Sequence, residues 1–162
     1  MISFTLARRT ALIAALFFSS LNGVGLAREK ATGQSVAVSI KPLHSLISGL
    51  MEGSGNQPSL ILAGGASPHA YSLKPSDAGR LTAARLIFWI GPGMEGFLVK
   101  PLHALAGTAS IVTFVTEPDA NPHIWLSPLR ATAMVDTAVA RLIAVDPGNA
   151  EVYRRNGATL AR

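Results

Sequence analysis

The sequence predicts an α/β fold with a doubly wound, mainly parallel four-stranded sheet. Two observations lead to this prediction. Short apolar runs that suit buried strands alternate with segments of helical pattern, and such alternation is typical of strand–helix–strand units built on a parallel sheet. Gly64 and Gly91 also follow the second and third runs directly, which marks the points where those strands end.

Four apolar runs are the predicted strands. They are rich in β-branched and aromatic residues, which favour pleated backbone buried in a sheet. In chain order the runs cover residues 35–40, 60–63, 86–90 and 111–115.

Helical segments connect these strands. Pro42 suits the first turn of a helix that ends near residue 52, because proline is favoured at the first helical position. Pro75 opens a second helix, with Asp77 in the first turn, where acidic groups are stabilised. A third helical stretch covers about 94–105.

The last part of the chain is also predicted to be helical. Ser127 and Pro128 suit an N-cap and a first helical position, and apolar residues then recur on one helix face. Pro147 breaks this helix, and a final helix begins near Ala150. We expect that final helix to fray where it lacks tertiary contacts, since short helices depend on packing.

Composition limits the chemistry of the chain. Its 162 residues include no cysteine, which excludes a disulfide framework, a thiolate zinc site and a cysteine nucleophile. Any metal must therefore be held by nitrogen and oxygen ligands. The formal net charge is +5, but the basic residues form no run or stripe, so no nucleic-acid partner is expected.

Residues 1–27 have the layout of a secretory signal peptide. Arg8 and Arg9 precede the apolar core 11–18, which is too short to span a membrane, and small residues follow up to Ala27. We therefore expect export to the periplasm and a mature chain that begins near Arg28. The alternative is an N-terminal membrane anchor.

His69 and His123 are the candidate metal ligands. Each lies in a loop rich in glycine, proline, asparagine or serine, after the second and the fourth predicted strand respectively. Ligands bind at the carboxyl ends of the strands in open α/β sheets, and neutral imidazole is the commonest protein metal ligand. If both strands belong to one parallel sheet, both histidines lie at one edge. They could instead be unrelated loop residues that hydrogen-bond locally.

Three other residues deserve separate interpretation. His44, in the first turn of a predicted helix, is expected to be an exposed helix residue, although it could lie near the same edge. His103 is expected on a helix surface. Glu95 follows the third strand and could orient a ligand histidine or simply favour a helix N-terminus.

No catalytic residue is predicted. The sequence contains no Gly-x-Ser-x-Gly, P-loop or His-Glu-x-x-His motif. A secreted metal-dependent hydrolase would need a third protein ligand and a general base, whereas only two strong ligand candidates exist. We therefore do not expect an enzyme.

Five stretches resemble the metal-binding (cluster A-I) solute-binding proteins of ABC-type zinc uptake systems. These stretches are 39–43, 64–77, 89–95, 123–128 and the group Asp146, Pro147, Tyr153 and Asn156. The blocks around His69 and His123 are the specific ones, and together the stretches span nearly all of the mature chain in family order.

This resemblance implies two α/β lobes joined by one long helix, with the metal held between the lobes. Residues 28–147 would form the N-terminal metal-binding lobe and 148–162 the start of the inter-lobe helix, in a chain truncated before the second lobe. His69 and His123 align with the first two metal histidines. The implied partners are a divalent metal ion and the membrane permease of the transporter, with the protein acting as a monomer.

The resemblance favours Zn²⁺ but leaves Mn²⁺ or Fe²⁺ open. Many zinc-specific members carry a long His/Asp-rich loop before the second histidine, whereas only residues 116–121 occupy that place here. A secreted interaction or adhesion module, which would not need either histidine, is the alternative from a different class.

Cleavage of the leader is testable directly. We expect mass spectrometry of the exported protein to show an N-terminus near Arg28, because the small residues before it suit signal peptidase. A membrane-bound species that keeps Met1 would contradict the prediction.

Overall fold

The sheet has the predicted α/β architecture. The computed structural model describes residues 36–65, 67–117 and 120–162, so the predicted signal peptide, residues 1–27, lies outside the described residues. The four strands are β1 (Val36–Val38), β2 (Ser59–Leu60), β3 (Leu86–Trp89) and β4 (Ser110–Thr113). Every pairing is parallel and the order is β2-β1-β3-β4, which confirms a doubly wound sheet.

Five α-helices surround this sheet. They are α1 (Lys41–Met51), α2 (Pro75–Ala83), α3 (Val99–Leu105), α4 (Pro128–Val145) and α5 (Ala150–Leu160). Proline occupies one of the first two positions of α1, α2 and α4, as its fixed φ and missing N–H favour. In the part of the chain that the structure describes, no helix is long and apolar enough to cross a membrane.

Each face of the sheet carries its own hydrophobic cluster, because successive residues of a strand point to opposite faces. Val38 and Phe88 pack into the cluster that includes α1, α4 and α5. Ala37 and Ile87 pack into the cluster that includes α2 and α3. Burial on both faces explains why β1 and β3 read as continuous apolar runs rather than alternating ones.

The two largest differences from the predicted element boundaries are the end of β2 and the start of the third α-helix. β2 is shorter than the predicted 60–63, although Ile61 and Leu62 still donate backbone hydrogen bonds to the carbonyls of Val38 and Ser39. The third α-helix begins at Val99 rather than near 94. Its start is delayed because the chain first turns at Gly91, where Met94 and Glu95 donate to the Gly91 carbonyl.

The N-cap predicted at Ser127 is correct in position but not in mechanism. Ser127 precedes α4, yet its side chain makes no capping hydrogen bond. The helix start is held instead by its backbone, since Ala131 N–H donates to the Ser127 carbonyl at 2.8 Å.

The expectation that α5 frays is revised, because α5 packs on this domain. Tyr153 is only 1% exposed, and its hydroxyl donates to Asp146 Oδ2 at 2.6 Å. Asn156 Nδ2 donates to the carbonyls of Leu50 and Glu52, at 3.0 and 2.8 Å. The Tyr153 contact joins α5 to the end of α4, and the Asn156 contacts join it to the carboxyl end of α1.

Two helical glycines provide a matched test of this packing. A Cβ at Gly157 would lie 2.7 Å from Val139 Cγ2, whereas a Cβ at Gly79 would meet nothing within 4 Å. Valine is stiff at χ1, so we expect Gly157→Ala to destabilise the protein by about 1 kcal/mol, as overpacking outweighs the gain in helix propensity.

The control, Gly79→Ala, should stabilise the protein by up to about 1 kcal/mol, because it gains propensity without a clash. Urea unfolding of both variants measures the two effects. Stabilisation by both substitutions would show that α5 is not packed as described.

Candidate metal centre

The carboxyl ends of all four strands line one open cleft. The chain reverses its winding between β1 and β3, since β2 lies on one side of β1 and β3 on the other. Such a switch point leaves a crevice outside the strand ends. The cleft has a volume of about 380 Å³ and is lined by Ile40, Lys41, Pro42, Leu62, Gly64, Gly65, Pro68, His69, Met94, His123 and Trp125.

His69 and His123 meet in this cleft. Their ring centroids lie 6.3 Å apart with the planes tilted by 51°, and both residues are exposed. With about 2.0–2.1 Å between zinc and each ring nitrogen, two imidazoles on one ion have centroids roughly 5 to 6.5 Å apart. A tetrahedral angle at zinc corresponds to about 5.2 Å, so the two rings would have to approach each other by about 1 Å to share a tetrahedral ion.

This proximity is not a trivial result of the sheet. β2 and β4 are its two outer strands, and three strand spacings of about 4.8 Å separate them by roughly 14 Å. The loops that carry His69 and His123 therefore lean inward, over the ends of β1 and β3.

Tyr71 anchors the first loop. Its ring packs edge-on against Phe97, with centroids 5.0 Å apart, and Phe97 belongs to the segment that follows β3. Its hydroxyl donates to Asp77 Oδ2 at 2.6 Å. The loop that carries His69 is thus held both to α2 and to the centre of the sheet edge.

Asp77 accepts several hydrogen bonds at the start of α2. Besides the Tyr71 hydroxyl, the Lys74 backbone N–H and the Arg80 guanidinium donate to its carboxylate, at 3.1 and 2.7 Å. Burial by itself raises the pKa of Asp77, but the hydrogen bonds from Tyr71 and Lys74 and the charge of Arg80 outweigh it, and the pKa lies below its ordinary value. The predicted acidic first turn is confirmed, and it also supports the ligand loop.

The second loop is held by its own short 3₁₀ turn, Ile124–Leu126. Ile124 is buried and Trp125 is half-buried against the same hydrophobic cluster that α4 joins, so packing of both side chains supports this loop. Asn121 Oδ1 lies 3.0 Å from His123 N and 3.1 Å from His123 Nδ1.

Glu95 lies beneath the edge rather than at a histidine. It is 0% exposed, and its carboxylate accepts from Ser39 Oγ at 2.5 Å and from the Ile90 and Gly91 backbone N–H groups. Burial raises the pKa of Glu95, although these three donors oppose the shift. Its partners therefore fit neither predicted role: Glu95 ties the end of β1 to the end of β3.

The other two histidines lie apart from the pair. The expectation of an exposed His44 is wrong, because His44 is half-buried and its Nε2 lies 3.1 Å from the Pro58 carbonyl oxygen. Pro58 precedes β2, so His44 is turned away from the carboxyl edge. His103 is exposed on α3, as expected.

The described residues bring two imidazoles together in the cleft. Within residues 36–65, 67–117 and 120–162, no group of three or more His, Asp or Glu side chains could hold a metal ion. A tetrahedral zinc site needs four donors. The cleft can therefore supply half of a coordination shell, and the other positions are open to water or to groups from elsewhere.

Sequence reasoning missed the supporting residues. Tyr71 was not distinguished from its loop, and Ser39 and Asn121 had no assigned role. A local signal existed for Asn121, because the side-chain oxygen of an asparagine often accepts the backbone N–H of the residue two positions later. No local signal pairs Ser39 with Glu95, because 56 residues separate them.

A family model and known relatives match this chain. The model described as zinc-uptake complex component A, periplasmic, matches residues 36–162. The high-affinity zinc uptake system protein ZnuA of Brucella abortus (strain 2308) is 48% identical over 100 residues, which cover 62% of this chain and 29% of that protein. The protein of the same name from Yersinia pestis is 30% identical over 159 residues, covering 75% and 50%. The chain thus spans half or less of these relatives.

Solved structures share the fold. A Mn-bound periplasmic metal binding protein from Candidatus Liberibacter asiaticus superposes with a TM-score of 0.68 at 24% identity, covering 78% of this chain and 52% of the other. Zn(II)-bound AdcA from Streptococcus pneumoniae gives a TM-score of 0.68 at 21% identity, covering 78% and 29%.

The Asp77 cluster predicts a pH-dependent stability. A carboxylate whose pKa is lowered by folding stabilises the protein above its unfolded pKa, and this contribution is lost as the pH falls through the folded pKa. Asp77→Asn should lower the free energy of unfolding at neutral pH by about 1 to 3 kcal/mol, and should flatten its decline below about pH 4.

Asp136→Asn on the exposed face of α4 is the matched control and should leave both quantities nearly unchanged. Denaturant unfolding between neutral and acidic pH measures them. An unchanged pH profile for Asp77→Asn would contradict the assigned role.

Proposed function

The chain belongs to the periplasmic zinc-uptake component A family, and we propose from this that it captures Zn²⁺ as the solute-binding part of an ABC transporter. In this proposal His69 and His123 are metal ligands, and the loaded protein delivers the ion to a membrane permease. The observation that carries the proposal is the meeting of the two imidazoles, 6.3 Å apart, at the sheet edge.

The chemistry of the cleft supports a borderline cation. Both candidate ligands are imidazoles, which suit Zn²⁺ and several other transition metals, and the chain has no thiolate to offer. The cleft is lined mainly by apolar residues and glycine, so the histidines are its main donors. Exposure of both rings gives an ion direct access from solvent.

Two ligands imply an incomplete site. We propose that residues 28–147 form the metal-binding lobe, that 148–162 begin the inter-lobe helix, and that a second lobe supplies the remaining protein donors in the full-length relatives. Residues 1–162 taken by themselves would leave the remaining positions to water or to another molecule. Their affinity for zinc should therefore be weaker than that of a site with four protein ligands.

Export forms part of the same proposal. The family is periplasmic by its description, and a signal peptide over residues 1–27 would bring the chain to that compartment. A periplasmic metal-binding protein without cysteine avoids disulfide exchange and thiol oxidation in an oxidising compartment.

Manganese is the second candidate cargo. A structural neighbour is a Mn-bound periplasmic metal binding protein. The segment before His123 also lacks the His/Asp-rich loop that the family resemblance associates with many zinc-specific members. Two imidazoles favour zinc over manganese, however, because affinity for nitrogen ligands rises from Mn²⁺ towards Zn²⁺.

Calorimetric titration tests the two ligands. We expect His69→Ala and His123→Ala each to remove most of the zinc affinity, because a single imidazole holds an exposed ion poorly. His103→Ala, on the exposed surface of α3, is the matched control and should bind like the wild type. Titration with Mn²⁺ under the same conditions compares the two cargoes.

Equal zinc binding by the wild type and the double alanine variant would reject metal capture at this cleft. That result would favour an interaction module, which needs neither histidine. Tighter binding of Mn²⁺ than of Zn²⁺ would retain the site and change the cargo.

A further inference from the structure

We propose that Asn121 is a positioning residue that fixes the tautomer of His123, so that Nε2 is presented to the metal before any metal binds. The metal-binding part rests on the proposed function, whereas the tautomer is a property of the metal-free chain. The inference follows from two contacts of a single oxygen, Asn121 Oδ1.

The first contact sets the orientation of the Asn121 amide. The backbone N–H of His123 lies 3.0 Å from the Oδ1 position. A backbone N–H can only donate, and an amide NH₂ group can only donate as well. The atom that faces this N–H must therefore be the amide oxygen, and the reversed amide would place two donors against each other.

The second contact then sets the proton on the ring. His123 Nδ1 lies 3.1 Å from the same Oδ1. The oxygen is an acceptor, so an unprotonated Nδ1 would direct its lone pair at another lone pair. A neutral imidazole carries one proton, on either Nδ1 or Nε2. Asn121 thus favours the form with the proton on Nδ1, which leaves the lone pair on Nε2.

This arrangement matches the demands of a metal ligand. An imidazole binds a metal through a nitrogen without a proton, and the hydrogen bond at the other nitrogen selects which one is available. His123 is therefore prepared for the ion by a contact that lies two residues away in its own loop.

His69 provides an internal comparison. Its backbone N–H is held by the Ser67 hydroxyl at the longer distance of 3.4 Å. Among the residues that the structure describes, none is hydrogen-bonded to the His69 ring. The structure therefore assigns a preset tautomer to His123 alone of the pair.

Two substitutions separate the contacts of Asn121. Serine can still accept the His123 backbone N–H in a similar turn, although more weakly, but its side chain ends one atom too early to reach Nδ1. Aspartate keeps an oxygen in the place of Oδ1 and retains both contacts. Asn121→Ser thus removes only the contact with the His123 ring, whereas Asn121→Asp should keep that contact and leave the tautomer unchanged.

Nitrogen-15 NMR of the histidine-labelled 162-residue chain, without metal and at about pH 8, reads the tautomer directly. We expect the proton of His123 on Nδ1 in the wild type and in Asn121→Asp, and a mixture of both forms in Asn121→Ser. The His69 signals should be the same in all three proteins. A wild-type ring with its proton on Nε2, or an unchanged tautomer in Asn121→Ser, would overturn the proposal.

Zinc titration of the same proteins tests the consequence. Zinc should shift the Nε2 resonance of His123 in the wild type, and Asn121→Ser should bind zinc about 10- to 100-fold more weakly while Asn121→Asp does not. Coordination through Nδ1 would overturn the assignment of the ligand atom. If zinc shifts neither nitrogen, metal capture fails, while the tautomer is still decided by the metal-free spectra.

Discussion

Parallel pairing of the four strands is the constraint on which the candidate site depends. Every connection between parallel strands must carry the chain back to the starting edge, so all four strands end at the same side of the sheet. The reversal of winding between β1 and β3 opens a crevice there. In the observed strand order, antiparallel pairing would make β2 and β4 end at opposite edges of the sheet. The two loops that carry His69 and His123 would then lie far apart.

The central strand ends form a fixed base for the two ligand loops. Glu95 joins them through Ser39 on one side and the Ile90 and Gly91 N–H groups on the other. A buried carboxylate requires such donors, because an unpaired one would carry a large desolvation penalty. The strand ends that surround Glu95 are thereby fixed relative to each other, which limits how far the cleft can change its width.

The two ligand loops are supported in different ways. The Tyr71 ring packs against Phe97 and its hydroxyl donates to Asp77, so the first loop depends on contacts with neighbouring elements. The second loop depends on the burial of Ile124 and on a local contact of Asn121. Both histidines remain exposed above these supports. A rigid base with accessible ligands suits reversible capture of an ion, since binding then requires little reorganisation.

The sequence by itself determined the fold class and the pair of histidines that the fold brings together. Apolar runs that alternate with helical patterns predict a parallel sheet, and the loop positions of His69 and His123 predict one shared edge. Prolines at 42, 75 and 128 located three helix starts. These features are local, because periodicity, turn residues and proline geometry act within a few neighbouring positions.

Only the tertiary structure decided how the site is assembled. Three features depend on residues that are distant in the chain. They are the inward lean of the two outer loops, the hydrogen bond between Glu95 and Ser39, and the contact of His44 with the Pro58 carbonyl. The packing of α5 against α1 and α4 belongs to the same group. A sequence pattern predicts whether a side chain faces the core or the solvent, but it does not predict which side chain it contacts. Those contacts follow from close packing of the whole domain, where the position of each side chain depends on all of its neighbours.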